Sequence, residues 1–222
     1  SIFLNPKQFN NKKDLKSYPR NIKKDLQILK KSKKVDFVYL PKFNDIYEDN
    51  KKSKITINKK DKILCAKFRK GHFEGVLDVM NRLTKIINPD KIFMGEKDFQ
   101  QLYLVKNFLK KKYKTKIISC RTIRGKNKIA LSSRNFLLNS SSLNLAGKIY
   151  KKLKNIKKKI NNKKDISDYL MYSKKKLEMS LKIKIDYLEL RNIKNLKISK
   201  TKNNSRLFIA YYLNNVRLID NL

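Results

Sequence analysis

Apolar residues recur at two periods along this chain, and the periods lay out its elements. Val76, Val79, Met80, Leu83, Ile86 and Ile87 share one face of a helix over 76–87, which Pro89 ends. Leu26, Ile28 and Leu29 predict a helix over about 21–33. Leu102, Val105, Phe108 and Leu109 predict one running to about 112. Short apolar or alternating runs predict strands at 1–4, 35–40, 54–58, 91–94 and 115–123. Pro6 and Pro41 end the first two, since proline cannot continue a central strand. Residues 12–20 and 65–75 read as loops, and 43–47 as a helical turn. Strands alternating with helices argue a doubly wound parallel α/β sheet, with the run at 91–94 as the end of a buried strand. The order changes after Ile123. A turn at 124–128 leads to a helix over 142–160 capped at 139–141, a second over 165–180, and strands at 184–190, 206–213 and 216–219. That is the order of a small helix-plus-antiparallel-sheet domain. We therefore expect an α/β domain over 1–122 and an α+β domain over 123–222.

At 222 residues and 40% hydrophobic content, the chain can bury a real core in one or two domains. No apolar run approaches the roughly 18 residues of a membrane span, and no signal peptide is visible. The chain starts Ser1-Ile2-Phe3-Leu4, without Met, and reads as a fragment or a trimmed chain. The formal charge of +39 invites a nucleic-acid reading. Arginine, however, supplies only nine of the 57 basic residues, whereas base-reading proteins lean on its bidentate contacts. The lysines are scattered among Asn and Ile, as AT-rich codons on a tolerant surface would leave them. A basic nucleic-acid-binding module stays open as the alternative, and weak, salt-sensitive polyanion binding follows in either case. Cys65 and Cys120 lack metal or redox spacing and read as buried, reduced thiols of a cytoplasmic protein.

The candidate chemistry gathers at Met94-Gly95-Glu96-Lys97-Asp98-Phe99-Gln100-Gln101-Leu102, a strand-to-helix turn. Gly95 permits a tight turn and close approach of a ligand. The helix start presents free N–H groups to an anion. Lys97 adds positive charge, Asp98 can accept from ribose hydroxyls, and Gln101 lies one turn on. The bland alternative is an ordinary turn with a capping Asp. Asn5 and Gln8 fall just past a strand's carboxyl end, where open α/β sheets bind ligands. Ser132-Ser133-Arg134 offers hydroxyls and a guanidinium to phosphate oxygens, or else a solvated loop. His72, the only histidine, has no nucleophile or second histidine near it in sequence and reads as structural. Five glycines form neither G-x-G-x-x-G nor a P-loop, so any nucleotide is held another way.

Six blocks then fall in the order and spacing of one family. They are 1–9, Tyr18-Pro19-Arg20, Gly71-His72-Phe73-Glu74-Gly75-Val76, 95–102, Leu131-Ser132-Ser133-Arg134-Asn135 and Arg217-Leu218-Ile219-Asp220-Asn221. Together they resemble pantoate–β-alanine ligase (pantothenate synthetase), of the HIGH-type nucleotidyltransferase superfamily. The resemblance implies a cytoplasmic, dimeric enzyme that uses ATP and Mg²⁺. Pantoate attacks the α-phosphate, pantoyl-adenylate forms, and β-alanine displaces AMP. Residue by residue it implies ATP binding by Gly95, Glu96, Lys97, Asp98, Ile123, Leu131, Ser132, Ser133 and Arg134. Gln8 and Gln101 would hold pantoate, Gln8 would also face β-alanine, and Arg69 and His72 would support the pocket. It makes 1–122 a Rossmann-like nucleotidyltransferase domain and 123–222 its lid. Three departures stand out. The family's amino-terminal segment with the HIGH-type motif, which carries its proton-donor histidine, is not in this sequence. We therefore expect the chain alone to lack its first βα unit and to be an incomplete enzyme, with a non-catalytic remnant as a further alternative. Asn127-Lys128 stands where the family has Asp-Gly, and Lys70 where it has Pro.

Overall fold

The computed structural model describes residues 1–9, 12–48, 54–160 and 165–222. Its helices are α1 (Lys12–Ser17), α2 (Ile22–Ser32), α3 (Phe43–Ile46), α4 (Cys65–Phe68), α5 (His72–Ile87), α6 (Phe99–Leu109), α7 (Ser140–Lys159) and α8 (Ile166–Leu181). Its strands are β1 (Lys91–Gly95), β2 (Lys116–Cys120), β3 (Lys184–Asn192), β4 (Ser205–Leu213) and β5 (Val216–Asn221). β1 and β2 run parallel, from Lys91 beside Lys116 to Gly95 beside Cys120, with α6 as the crossover. β3, β4 and β5 form an antiparallel meander in that order. The α/β class with a parallel sheet and a smaller carboxyl-terminal antiparallel sheet is thus the expected one.

Local chemistry explains the boundaries of the later helices. Asn139 caps α7 by accepting from the Ser142 N–H at 2.9 Å, and Asp165 caps α8 by accepting from Asp168 N–H at 2.9 Å. The β4–β5 hairpin turns on Asn214-Asn215, both left-handed with φ of 46° and 64°, the conformation that matches the twist of paired strands. One apolar core lies between this sheet and α7–α8, around Ile149, Leu153, Leu207 and Ile209. A second joins α5 and α6 to the other face of the same sheet: Phe73, Val76, Val105 and Leu109 pack with Tyr187, Phe208 and Ala210.

Several expected strands are not formed. Residues 1–4, 35–40 and 54–58 carry no ladder; the first two meet only where the Ile2 N–H donates to the Tyr39 carbonyl at 2.9 Å. Their pattern is right for a strand, but a parallel strand needs a neighbour from elsewhere in the chain, and none is paired with them among the described residues. β1 is not buried: its positions alternate between exposed and half-buried, and Phe93 is 65% exposed. Residues 12–17 and 65–68 are short helices rather than loop, and α5 begins four residues earlier than its apolar face indicates. Cys65 is buried, but Cys120 is exposed because β2 ends there, short of Ile123. No helix among the described residues is long and apolar enough to cross a membrane.

Candidate functional site

The turn after β1 is a single 3-10 turn, Glu96–Asp98, running straight into α6. Gly95 has φ −71°, which any residue adopts, so the turn itself does not require glycine. What glycine leaves there is room: an added Cβ would meet nothing within 4 Å. Glu96 does not line the cleft described below. Its carboxylate accepts from Arg206 at 2.7 Å, and that bond holds its pKa below the usual carboxylate range. The turn is gripped from behind by β5. The Asn221 amide donates to the Glu96 and Lys97 carbonyls, each at 2.9 Å, while Arg206 donates to the Asn221 side-chain oxygen at 2.8 Å. With both carbonyls tied to the sheet, the Lys97 and Asp98 side chains are left to the cleft.

The next predicted segment is a small hairpin. Arg124 bridges Ala130, and the Leu131 N–H donates to the Ile123 carbonyl at 2.9 Å. Lys128 sits at its tip with φ 69°, a left-handed position that glycine occupies without strain. The Asn127-Lys128 departure thus falls on the one turn residue whose backbone favours glycine. Arg124 anchors the hairpin base to β5 by a bidentate pair with Asp220 at 2.7 and 2.8 Å. Ser132 caps the following turn, Ser133–Leu137. The Ser133 hydroxyl donates to Tyr18 at 2.9 Å, and Arg134 pairs with Asp14 at 2.9 Å and lies over the Tyr18 ring. Ile123 and Leu131 are exposed.

Gln8 is held by its backbone. Asn5, fully buried, donates to the Gly75 carbonyl at 3.0 Å and accepts from Lys7 N–H and Tyr47 O–H. Gly75 is required for this approach, because a Cβ there would lie 2.3 Å from the Lys7 carbonyl oxygen. His72 Nδ1 lies 2.7 Å from the Gln8 carbonyl, and Nε2 lies 2.9 Å from an Arg69 guanidinium nitrogen. A carbonyl only accepts and a guanidinium only donates, so the proton is on Nδ1 and the ring is neutral. Burial, then the Arg69 charge, hold its pKa down to about 3. His72 is thus a neutral ring that ties Arg69 to the Gln8 backbone. Gln100, beside the predicted Gln101, is buried, with its amide on Cys65 N–H and on the Asp61 and Ile63 carbonyls.

These parts meet at one cleft of about 770 Å³ where the β1 end faces the β4–β5 hairpin. Lys97, Asp98, Ser132, Arg134 and Arg69 line it, with Arg217 on the far wall. A narrow recess beside it is lined by Lys97, Asp98 and Arg69 again, with Gln101, His72 and Tyr187. Gln8, Gly95, Glu96, Ile123, Leu131 and Ser133 do not line the cleft; Ser133 bonds Tyr18, and Gln8 bonds His72, which lines the recess. Sequence reasoning missed the Asp14 and Tyr18 contacts to the hairpin and the Asp220-Asn221 clamp. The signal available was two polar residues closing an apolar strand. Four cations, Arg69, Lys97, Arg134 and Arg217, line the cleft beside three carboxylates, Asp14, Asp98 and Asp220, a slight positive excess that suits an anionic ligand. Among the described residues no group of three or more His, Cys, Asp or Glu side chains could hold a metal.

The chain is similar in sequence and fold to proteins of one family. The family model described as Pantoate-beta-alanine ligase matches residues 1–222. A pantothenate synthetase of Flavobacterium psychrophilum is 37% identical over all of this chain and 80% of its own length. One from Buchnera aphidicola is 40% identical over all of this chain and 79% of its own. Among solved structures, the Thermus thermophilus pantothenate synthetase superposes with TM-score 0.90 at 26% identity, covering all of this chain and 81% of that one. The Francisella tularensis pantoate-beta-alanine ligase, in complex with "Beta-gamma ATP and Beta-alanine", gives 0.80 at 37% identity, over all of this chain and 77% of that one. The family match takes in residues 1–222 and so lends no support to the expected loss of an amino-terminal unit.

Proposed function

This chain belongs to the pantoate–β-alanine ligase family, and from that premise we propose that its cleft joins pantoate to β-alanine through an adenylate. One observation supports this most: Lys97, Asp98, Ser132 and Arg134, far apart in sequence, line the same 770 Å³ cleft. In this reading a pantoate carboxylate oxygen attacks the α-phosphorus of ATP, and the bond to pyrophosphate breaks. The β-alanine ammonium loses a proton, its nitrogen attacks the acyl carbon, the bond to AMP breaks, and the nitrogen's second proton is lost to leave the amide. Lys97 and Arg134 neutralise charge on the phosphates, Ser132 donates to them, joined by Ser133 once its hydroxyl leaves Tyr18, and Asp98 accepts from the ribose. Gln101, in the recess, grips pantoate without quenching its nucleophilic charge, and Gln8 completes that pocket. Catalysis by these residues is positioning plus electrostatic stabilisation. A Mg²⁺ ion bound to the ATP phosphates would keep its waters and need no protein cage; of the cleft carboxylates Asp14 and Asp220 are paired with arginines, so Asp98 would be the one to hold it, and the ion would add charge neutralisation. Residues 123–222 act as a lid on 1–122, and dimeric assembly and a cytoplasmic location belong to the same proposal.

The test is pantoate-dependent ATP–pyrophosphate exchange by the full-length gene product. Exchange should require pantoate, and Lys97→Ala should lower it by about 10²–10³-fold. Exchange that proceeds equally without pantoate would overturn the reading.

A further inference from the structure

Four cations reach the cleft or its recess, and three of them have a carboxylate on this chain. Lys97 Nζ lies 3.7 Å from Asp98, Arg134 pairs with Asp14 at 2.9 Å, and Arg217 donates to Asp186 at 2.8 Å. Arg69 has no ion pair of its own among the described residues: its hydrogen bond is to neutral His72, and Asp14, already paired with Arg134, acts on it only at longer range. Burial, then the charge of Arg134, lower its pKa, yet a guanidinium stays a cation. A partly desolvated cation without a counter-ion is costly. It is also held ready, because the His72 bond fixes one guanidinium nitrogen of a residue that lines both the cleft and the recess. Such a fork matches a carboxylate bidentately.

The reaction offers two carboxylates. Pantoate's is the nucleophile, and an arginine clamped on it would withdraw the charge the attack needs. That of β-alanine is a spectator, still a carboxylate in the product. A cation beside it also favours loss of the ammonium proton, which must go before nitrogen can attack. Resting on the ligase reading above, we propose that Arg69 binds the carboxylate of the amine substrate, with His72 as its positioning residue. The distance from this fork to the acyl carbon then selects the chain length of the amino acid.

The experiment separates the half-reactions in the full-length protein carrying Arg69→Gln. Pantoate-dependent exchange without β-alanine reads the first; AMP release against β-alanine concentration reads the second. The KM for β-alanine should rise by about 10–100-fold, at least tenfold more than exchange falls. n-Propylamine, the same chain without the carboxylate, serves as a second acceptor. The preference for β-alanine over it should collapse at least tenfold in the variant. Equal losses in both half-reactions, or an unchanged preference, would overturn the assignment. Wild-type exchange that needs no pantoate would instead sink the ligase reading, before Arg69 is at issue.

Discussion

The two sheets serve the same cleft by different means. β3–β4–β5 is closed by consecutive chain, with a two-residue turn and apolar packing on both faces, and it contributes chiefly fixed supports: Asn221 behind the turn and Asp220 beneath the hairpin. β1–β2 is a two-stranded parallel pair with an exposed face, and it contributes side chains that line the recess: Lys97, Asp98 and Gln101 just past the β1 end. The part that bears the proposed ligand-binding groups is thus the less buried, held in register by the more buried. Charged groups must meet water and ligand, whereas a support works best where its hydrogen bonds are dry.

The largest expected effect tests that contrast in stability. Leu207 in β4 is fully buried, and its backbone pairs both ways with Leu222 at 3.0 Å. Leu207→Ala should cost about 3–5 kcal/mol in urea unfolding. Ile92→Ala, at a half-buried position of β1, should cost about 1–2 kcal/mol. Equal costs would break the distinction between support and platform.

The same contrast decides what could be read from sequence. β3, β4 and β5 were legible because antiparallel neighbours follow one another, so the pattern of each strand already contains its partner. Residues 35–40 and 54–58 carry strand patterns too, but nothing local supplies a parallel neighbour, and Phe37 is left 94% exposed. In the site, Lys97, Asp98, Gln101, Ser132 and Arg134 were legible because they stand in contiguous polar blocks. Glu96 sits in the same block, yet faces Arg206 from β4. Asn221 and Asp220 act over more than 90 residues of separation, which no local pattern records.

A smaller effect, in pH, probes the arm that carries Gln8. The His72 pKa falls from 6.5 to about 3 in the fold, so protonation favours the unfolded chain. The stabilisation is complete above about pH 6.5 and is lost as pH falls towards 3. Between pH 7 and pH 4 the loss should be about 3 kcal/mol by urea midpoint. Glu96, whose pKa is also lowered, adds its own loss only at the acid end of that window. His72→Asn should flatten the slope. An unchanged slope in that variant would show that the Arg69–His72–Gln8 chain is not what holds the arm.

The smallest expected change in stability sits at the platform itself, where stability and activity should part. Gly95 has ordinary φ and open space before it. Gly95→Ala should leave stability within about 0.5 kcal/mol, or raise it slightly by restricting the unfolded chain. If the open space is where nucleotide meets backbone, the added methyl should still raise the KM for ATP by about tenfold or more, since close approach is what glycine allowed. Gly75→Ala provides the counter-case, because its Cβ would strike the Lys7 backbone and stability should fall with activity. A Gly95→Ala enzyme with unaltered ATP use would mean that nucleotide does not approach that face of the turn. In the proposed reading, what β1 offers the nucleotide would then rest on the side chains of Lys97 and Asp98.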